Sequence, residues 1–447
     1  MVKVITYGTF DLLHYGHIRL LERAKELGDY LIVGVTADDF DKTRGKINVQ
    51  QPLMERVDAV RATGIADEII IEEYEGQKID DIKRLGVDIF TVGSDWFGKF
   101  DYLKEYCRVV YLDRTQGISS TELRSETGAV RLGFVGESNI LLKYKNECAY
   151  VNGVEVSGIC TDDAGLITAL SGEKIRFADN YDALLDISDA VYVISHPERH
   201  YGQVKQALLR GRHVLCESPI ALRETECREL FDLAKEKGLI LMEAIKTAYS
   251  TAYSRLLLLL KSGRIGDVVS VDAVCTSLNG NPSGDFTRRW NSICSWGPTA
   301  LLPVFQILGT NYSDKRILSR LWSTEHRFDA FSKVEFVYPG AVASVRVGTG
   351  VKSEGELVVS GTKGYALVPA PWWKTDYFEI RYENPADNRR YFYQLEGEGI
   401  RYELVSFVKS IRYGSLRSCV EEDVTLAITA VLQDYYEGKD TTILGEN

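Results

Sequence analysis

Gly8-Thr9-Phe10-Asp11-Leu12-Leu13-His14-Tyr15-Gly16-His17 is the stretch on which the reading of this chain turns. The apolar run 2–7, Val-Lys-Val-Ile-Thr-Tyr, leads into it, and Ile18-Arg19-Leu20-Leu21-Glu22-Arg23-Ala24 follows with helical spacing. The pattern predicts strand, tight loop and helix in that order. A helix N-terminus offers unpaired N–H groups and a partial positive charge, so it attracts anions. His14 and His17 add side-chain donors there, and Gly16 lets a ligand approach the backbone without meeting a Cβ. The chemistry expected is a cradle for a triphosphate.

Outward from this stretch, residues 1–126 alternate between strand and helix patterns. Strands are predicted at 2–7, 30–36, 68–72, 88–92 and 108–112. Such alternation implies a mostly parallel sheet wrapped by helices, with ligands at the carboxyl ends of the strands. Four further segments lie where they could serve such a site. Asp41-Lys42-Thr43-Arg44-Gly45-Lys46 is a cationic loop after the second strand; it reads as a phosphate contact or as a solvated turn. Lys78 opens a helical stretch. The aromatic loop Gly93 to Asp101 follows the fourth strand, and Arg114-Thr115-Gln116-Gly117-Ile118-Ser119-Ser120-Thr121 follows the fifth. The last segment brings a cation, a glycine and hydroxyls to the start of another helix.

The 447 residues are too many for one core, so two or three domains are expected. Hydrophobic residues make up 45% and charged residues 26%, an ordinary globular balance. The net charge of -11 argues against a nucleic-acid or anionic-membrane surface. None of the eight cysteines forms a Cys-x-x-Cys pair, so no metal site is expected and the thiols read as reduced and cytosolic. The opening run is too short for a signal peptide, and Leu256 to Leu260 is far too short to span a membrane. The expected location is cytoplasmic.

Residues 1–126 resemble the glycerol-3-phosphate cytidylyltransferase family of HxGH nucleotidyltransferases. The likeness rests on GTFDLLHYGH, GSDWFGKFDYL and RTQGISSTELR. It implies attack of a substrate phosphate on the α-phosphorus of CTP, with pyrophosphate leaving. It further implies that Thr9, Phe10, His14, Gly16 and His17 contact CTP, and that the two imidazoles stabilise charge on the phosphates. Lys46 and Arg114 would bind phosphates, and Gly117, Ile118, Ser119, Ser120 and Thr121 would close the nucleotide pocket. Arg44 and Lys78 would reach the acceptor phosphate, and Mg²⁺ would ride on the triphosphate. Arg44 stands where relatives have lysine, Gly64 where they have a basic residue, and Ser120 where they have threonine. The acceptor, a phosphorylated polyol, need not be glycerol 3-phosphate.

After Gly128 the pattern restarts. Residues 129–136 read as a strand into a glycine turn, and strands follow at 154–160, 190–194 and 213–216. This half resembles the Gfo/Idh/MocA family of NAD(P)-dependent oxidoreductases. The matching stretches include His196-Pro197-Glu198-Arg199-His200, the run Ala207 to Pro219, Met242-Glu243-Ala244 and Gly263-Arg264-Ile265-Gly266. The resemblance implies cofactor contacts from Gly133, Gly136, Ser138, Asn139, Asp162, His196, His200 and Glu217. The chemistry-bearing positions depart from the family. Ser138 replaces a glycine, Thr161 the ribose-binding acid, Ser218 the lysine of Glu-Lys-Pro, and Thr299 a histidine. Reducing a carbonyl needs a proton donor, and Lys246 is the remaining option, or else a structural lysine. Two readings stay open: an altered working reductase, or a scaffold that lost the chemistry and serves assembly or ligand binding.

Residues 248–380 are β-rich, with strands at 267–276, 332–338, 341–348, 355–360, 364–368 and 377–382, and a Pro339-Gly340 turn. Helices are expected at 399–412 and 421–437. The fold class expected is α/β. A Rossmann-like HxGH domain (1–126) precedes a Rossmann domain (129–247) and an α+β domain with an open, mostly antiparallel sheet (248–447). The whole reads as a cytidylyltransferase fused to an oxidoreductase module and assembled as a homo-oligomer. Synthesis of a cell-surface or teichoic-acid-like precursor is the expected setting.

Overall fold

A computed structural model describes the chain except residues 12, 14, 38–48, 50, 52, 75, 114–128, 171–174, 279–285, 287–288, 375, 394, 396, 415–417 and 446–447. It divides into two compact units, Met1–Ala129 and Val130–Asn447.

In the first unit, β1 (Lys3–Gly8), α1 (Tyr15–Lys25), β2 (Tyr30–Thr36), α2 (Leu53–Ala62), β3 (Glu68–Glu72), α3 (Gln77–Leu85), β4 (Ile89–Gly93) and β5 (Arg108–Leu112) follow one another. The strands form a parallel sheet in the order β3-β2-β1-β4-β5. Successive strand side chains point to opposite faces, so an apolar run can serve two cores at once. Val4, Leu31, Val33 and Val35 pack with Leu21 and Ala24 on one face. Ile5, Ile32 and Phe90 pack with Ile82 and Leu103 on the other. The central position of β1 brings its carboxyl end, and the loop quoted first, to the middle of the sheet edge where ligands bind.

The second unit opens with β6 (Val130–Val135), α4 (Ile140–Cys148), β7 (Val154–Cys160), α5 (Ala164–Leu170) and α6 (Tyr181–Ile187). It continues with β8 (Ala190–Val193), α7 (Pro197–Leu209), β9 (His213–Glu217), α8 (Glu224–Glu236) and β10 (Leu241–Ala244). Their sheet is parallel in the order β10-β9-β8-β6-β7. Val191, Val193, Val214 and Cys216 form its core with Ala207, Leu208 and Leu230. Asn180 starts α6 by accepting a hydrogen bond from the Ala183 amide, 2.9 Å.

The rest comprises α9 (Thr251–Lys261), β11 (Val268–Thr276), α10 (Ser292–Leu308), β12 (Asp314–Ser323), β13 (Phe328–Val337) and β14 (Val342–Gly348). Then come β15 (Leu357–Gly361), β16 (Tyr365–Val368), β17 (Tyr377–Arg381), β18 (Arg389–Phe392), α11 (Ile400–Tyr413), α12 (Glu422–Glu437) and β19 (Thr441–Ile443). The strands make one nine-stranded sheet, β18-β17-β16-β15-β11-β14-β13-β12-β19. Its pairs are antiparallel apart from β11 with β14 and β12 with β19. Pro339-Gly340 turns β13 into β14, and the Tyr338 amide closes the turn on the Ala341 carbonyl, 2.8 Å. Strands β10, β12, β18 and β19 were not expected from the sequence, and β13 starts at Phe328 rather than 332.

Candidate functional site

The β1–α1 junction is held by contacts that are far apart in sequence. Phe10 takes a left-handed backbone, φ 50°, and is 2% exposed. Its ring meets the edge of the His17 imidazole with centroids 5.6 Å apart, fixing that ring on the first turn of α1. Asp11 is buried, and its Oδ1 accepts a hydrogen bond from the Gln51 amide, 2.9 Å. Arg56, on α2, has no exposed surface. Its Nη1 donates to the carbonyls of Thr9 (2.6 Å) and Thr36 (2.9 Å), and its Nε to that of Gln51 (3.0 Å). One guanidinium thus ties the carboxyl ends of β1 and β2 together, a task its planar fork suits. Asp11 and Arg56 were not singled out from the sequence, because their partners are backbone groups that no motif displays.

Lys78, expected at an acceptor phosphate, points inward. It is 6% exposed, its Nζ pairs with Glu72 at the end of β3, and it lies 4.5 Å from the centre of the Tyr7 ring. Glu72 also accepts from Thr36 Oγ1, 2.9 Å, and Tyr7 donates to Asp81, 2.9 Å. Burial and the nearby Asp81 push the Tyr7 phenol far above its usual range. At the exit of β5, Arg23 donates to the Asp113 carbonyl, 2.6 Å. His14, Arg44, Lys46, Arg114, Gly117, Ile118, Ser119, Ser120 and Thr121 lie outside the described residues. The structure therefore brings Thr9, Phe10, Gly16 and His17 together at one strand end and leaves Lys78 tied to Glu72.

In the second unit, the carboxyl ends of β6, β8, β9 and β10 meet at one edge. Gly136 has φ 139°, and a Cβ there would lie 2.4 Å from the Ile194 backbone. That glycine is required by the adjacent backbone of Ile194 whatever ligand binds. Glu137 is bridged to Arg199 on α7, 2.6 Å, which neutralises the charge it brings to the turn. Among the described residues, no group accepts a hydrogen bond from the amides of Glu137, Ser138 or Asn139. Three free amides at a helix start, beside a neutralised carboxylate, fit the pyrophosphate of a dinucleotide. Asp162 stands exposed at the exit of β7, while Asp163 is used at the start of α5, accepting from the Leu166 amide, 2.9 Å. His196 faces the Arg289 carbonyl, 3.1 Å.

His200, expected at the cofactor, has no exposed surface. Its ring nitrogens face the carbonyls of Pro219 (2.7 Å) and Ser195 (2.8 Å), so it ties two loops together behind the site. Burial outweighs both carbonyls and pulls its pKa down to about 4. Ser218 is likewise taken up: it donates to Glu243, whose other oxygen accepts from Thr425, 2.6 Å.

Glu217, at the end of β9, accepts from the Tyr192 hydroxyl. Burial pushes its carboxyl up to about 7, against the pull of Tyr192 and Lys246. Tyr192 packs on Tyr144, ring centroids 4.3 Å apart, and Tyr144 donates to Glu403, 2.7 Å. Burial, with the charge of Glu217 nearby, raises the Glu403 carboxyl well above the usual range, and its buried Oε2 meets no hydrogen-bond partner among the described residues. Tyr144, Tyr192 and Glu403 carry no sequence signal: Tyr192 inside its apolar run reads as core, and Tyr144 and Glu403 read as ordinary helix residues. Lys246 donates to Glu398, 3.0 Å, and is mostly buried.

Two parallel sheets, one with a histidine-bearing strand–loop–helix junction and one with a dinucleotide-type turn, define a nucleotidyltransferase fold joined to a Rossmann oxidoreductase fold. The comparisons agree. Residues 5–126 match the cytidylyltransferase-like family model, and residues 130–245 match that of the oxidoreductase family with an NAD-binding Rossmann fold. The glycerol-3-phosphate cytidylyltransferase of Bacillus spizizenii is 49% identical over 135 residues, covering 29% of this chain and 100% of that protein. That of Staphylococcus aureus is 48% identical, covering 28% and 95%. The chain belongs to the cytidylyltransferase-like family, and its first unit is a CTP-dependent nucleotidyltransferase. KijD10, a 3-ketoreductase from Actinomadura kijaniata solved with NADP and TDP-benzene, is similar in fold, with TM-score 0.62 at 18% identity. The likeness covers 71% of this chain and 100% of that one. UDP-N-acetylglucosamine 3-dehydrogenase from Acidithiobacillus ferrooxidans gives TM-score 0.58 at 17% identity over 70% and 98%. No described helix is long and apolar enough to cross a membrane.

Proposed function

We propose that the first unit joins CTP to a phosphorylated polyol, glycerol 3-phosphate or a close relative, releasing pyrophosphate and a CDP-polyol. The observation that carries this reading is likeness over the whole length of glycerol-3-phosphate cytidylyltransferases at about half identity. A phosphate oxygen of the acceptor attacks the α-phosphorus, and the bond to pyrophosphate breaks. The protein's work is positioning and charge stabilisation. Thr9, Phe10, Gly16 and His17 receive the nucleotide with His14; Lys46 and Arg114 hold its phosphates; residues 117–121 close over it. Arg44 and Lys78 take the acceptor phosphate, which competes with Glu72 for Lys78. The donors at the β1–α1 junction, imidazole and hydroxyl, suit phosphate oxygens rather than a cation, so Mg²⁺ enters held by the triphosphate. A CTP assay over a panel of phosphorylated polyols, read as pyrophosphate release, tests this; no turnover with any member overturns it.

The second unit is read as an NAD(P)-dependent reductase that makes the acceptor from a keto-phosphate. The fold, the free amides of Glu137, Ser138 and Asn139, and the neutralised Glu137 support it. The dinucleotide supplies the hydride when bound. Lys246 at Nζ gives the proton to the developing alkoxide, and Glu217 with Tyr192 resupplies it. Titration of NAD⁺, NADH, NADP⁺ and NADPH tests this half, and no binding at about millimolar cofactor leaves a scaffold for assembly or ligand binding. The two activities together suit synthesis of a cell-surface polysaccharide or teichoic-acid-like precursor by a cytoplasmic homo-oligomer.

A further inference from the structure

Three lysines from three separate segments of the second unit converge on one carboxylate. Lys143 of α4 lies 3.1 and 3.2 Å from the two oxygens of Glu398. Lys246, just past β10, lies 3.0 Å from Oε2, and Lys374, in the turn before β17, 2.9 Å from Oε1. Glu398 sits in Gly397-Glu398-Gly399, where all three residues are left-handed, φ 56°, 53° and 90°. An L residue avoids that region, so the carboxylate is held there by its surroundings. A Cβ on Gly399 would lie 2.8 Å from the Lys246 carbonyl.

The segments that carry the lysines have ties of their own besides Glu398. Thr247 donates to the Trp373 carbonyl, 3.2 Å, fastening the segment of Lys246 to that of Lys374. Arg401 on α11 pairs with Glu147 on α4, which fixes the helix carrying Lys143. Three positive charges face one negative charge, with the Glu217 carboxyl close to Lys246 and Glu403 behind it. Partial burial opposes the charge of Glu398, yet hydrogen bonds from Lys374 and Lys246 hold its pKa at about 2. Such a trio matches a dianion better than a carboxylate.

We propose that Lys143, Lys246 and Lys374 form a binding site for the phosphate of a small phosphate monoester, and that Glu398 is a built-in stand-in which the ligand displaces. The identity of the ester as a keto-phosphate rests on the reductase reading; the anion site does not. Lys246 then serves both ends of such a ligand, touching its phosphate and standing beside Glu217.

The test is calorimetric titration of the full chain with inorganic phosphate at low salt and without CTP, comparing wild type, Glu398→Ala and Glu398→Ala/Lys374→Ala. Phosphate binding by the first unit is common to all three. The expected result is one extra phosphate per chain in Glu398→Ala, at least about tenfold tighter than in wild type and lost in the double variant. Glycerol 3-phosphate displaces that phosphate and NADPH does not. Equal titrations of the single and double variants overturn the site, and displacement by NADPH alone overturns the monoester. If Glu398→Ala fails to fold by circular dichroism, Glu398→Gln, which keeps the shape without the charge, carries the same comparison. Failure of the reductase reading shows separately, as absence of dinucleotide binding with the extra phosphate retained.

Discussion

Replacing Arg56 by lysine keeps the buried charge but removes the fork. Its guanidinium donates hydrogen bonds to Gln51, Thr9 and Thr36 among the described residues. One ammonium on a shorter reach keeps one or two of these. A hydrogen bond to a charged group contributes about 1.5–3 kcal/mol, and a buried carbonyl left without a donor adds its desolvation cost. The loss expected is therefore roughly 2–4 kcal/mol in the first unit, after allowing for relaxation. At about 1.4 kcal/mol per factor of ten, amides of β1 and β2 that exchange through global opening should exchange ~30- to 700-fold faster. Because the Thr9 carbonyl is one anchor, KM for CTP should rise in the same variant. Hydrogen–deuterium exchange of peptides from 1–129, with CTP kinetics, reads both effects. Exchange within about threefold of wild type together with an unchanged KM would refute the clamp.

His17→Ala should lower pyrophosphate release at least about a hundredfold, and full activity would remove His17 from the site. For Glu217, the folded carboxyl titrates at about 7 against 4.5 for a free glutamate, so the folded state holds the proton more tightly. Its contribution to stability is most favourable below pH 4.5 and falls as pH rises to 7. Glu217→Gln should accordingly gain on wild type by up to roughly 3 kcal/mol near neutral pH, with the gain vanishing in acid. Thermal unfolding across pH 4–8 measures this, and a pH-independent difference would refute it. Lys315→Met should destabilise the second unit by roughly 1–3 kcal/mol, because it strips Asp434 and half-exposed Asp440 of an ammonium at 2.7 and 2.8 Å and leaves Asp434 with Lys439 at 3.4 Å. Denaturant melts would show it, and an unchanged midpoint would mean that solvent screens the cluster.

What the sequence displayed depends on where its partners lie. Strands such as Tyr30–Thr36 announce themselves because an unbroken apolar run, Leu31 to Val35, is buried on both faces. Strand Asp314–Ser323 does not, because its inward positions include Lys315 and Ser319, which satisfy themselves with acids and another serine. Short, exposed Arg389–Phe392 lacks any apolar face to detect. At the sites, His17 and Phe10 were legible through a motif, whereas Arg56 acts on carbonyls and Tyr192 acts through Glu217, relations that only folding creates. Lys78 and His200 were legible as residues but not in their placement. Both are turned into the interior, where Glu72 and two backbone carbonyls meet them.

Gly136 bears on how such chains are compared. Its lack of a side chain answers to the backbone of Ile194 lying against it, not to a passing phosphate. A lineage that gave up nucleotide redox chemistry would still be unable to change it, since any Cβ would push two strand exits apart. Counting that glycine as a trace of cofactor use would therefore score retired and working dehydrogenases alike. The informative position in this turn is the serine two residues on, where no such wall stands.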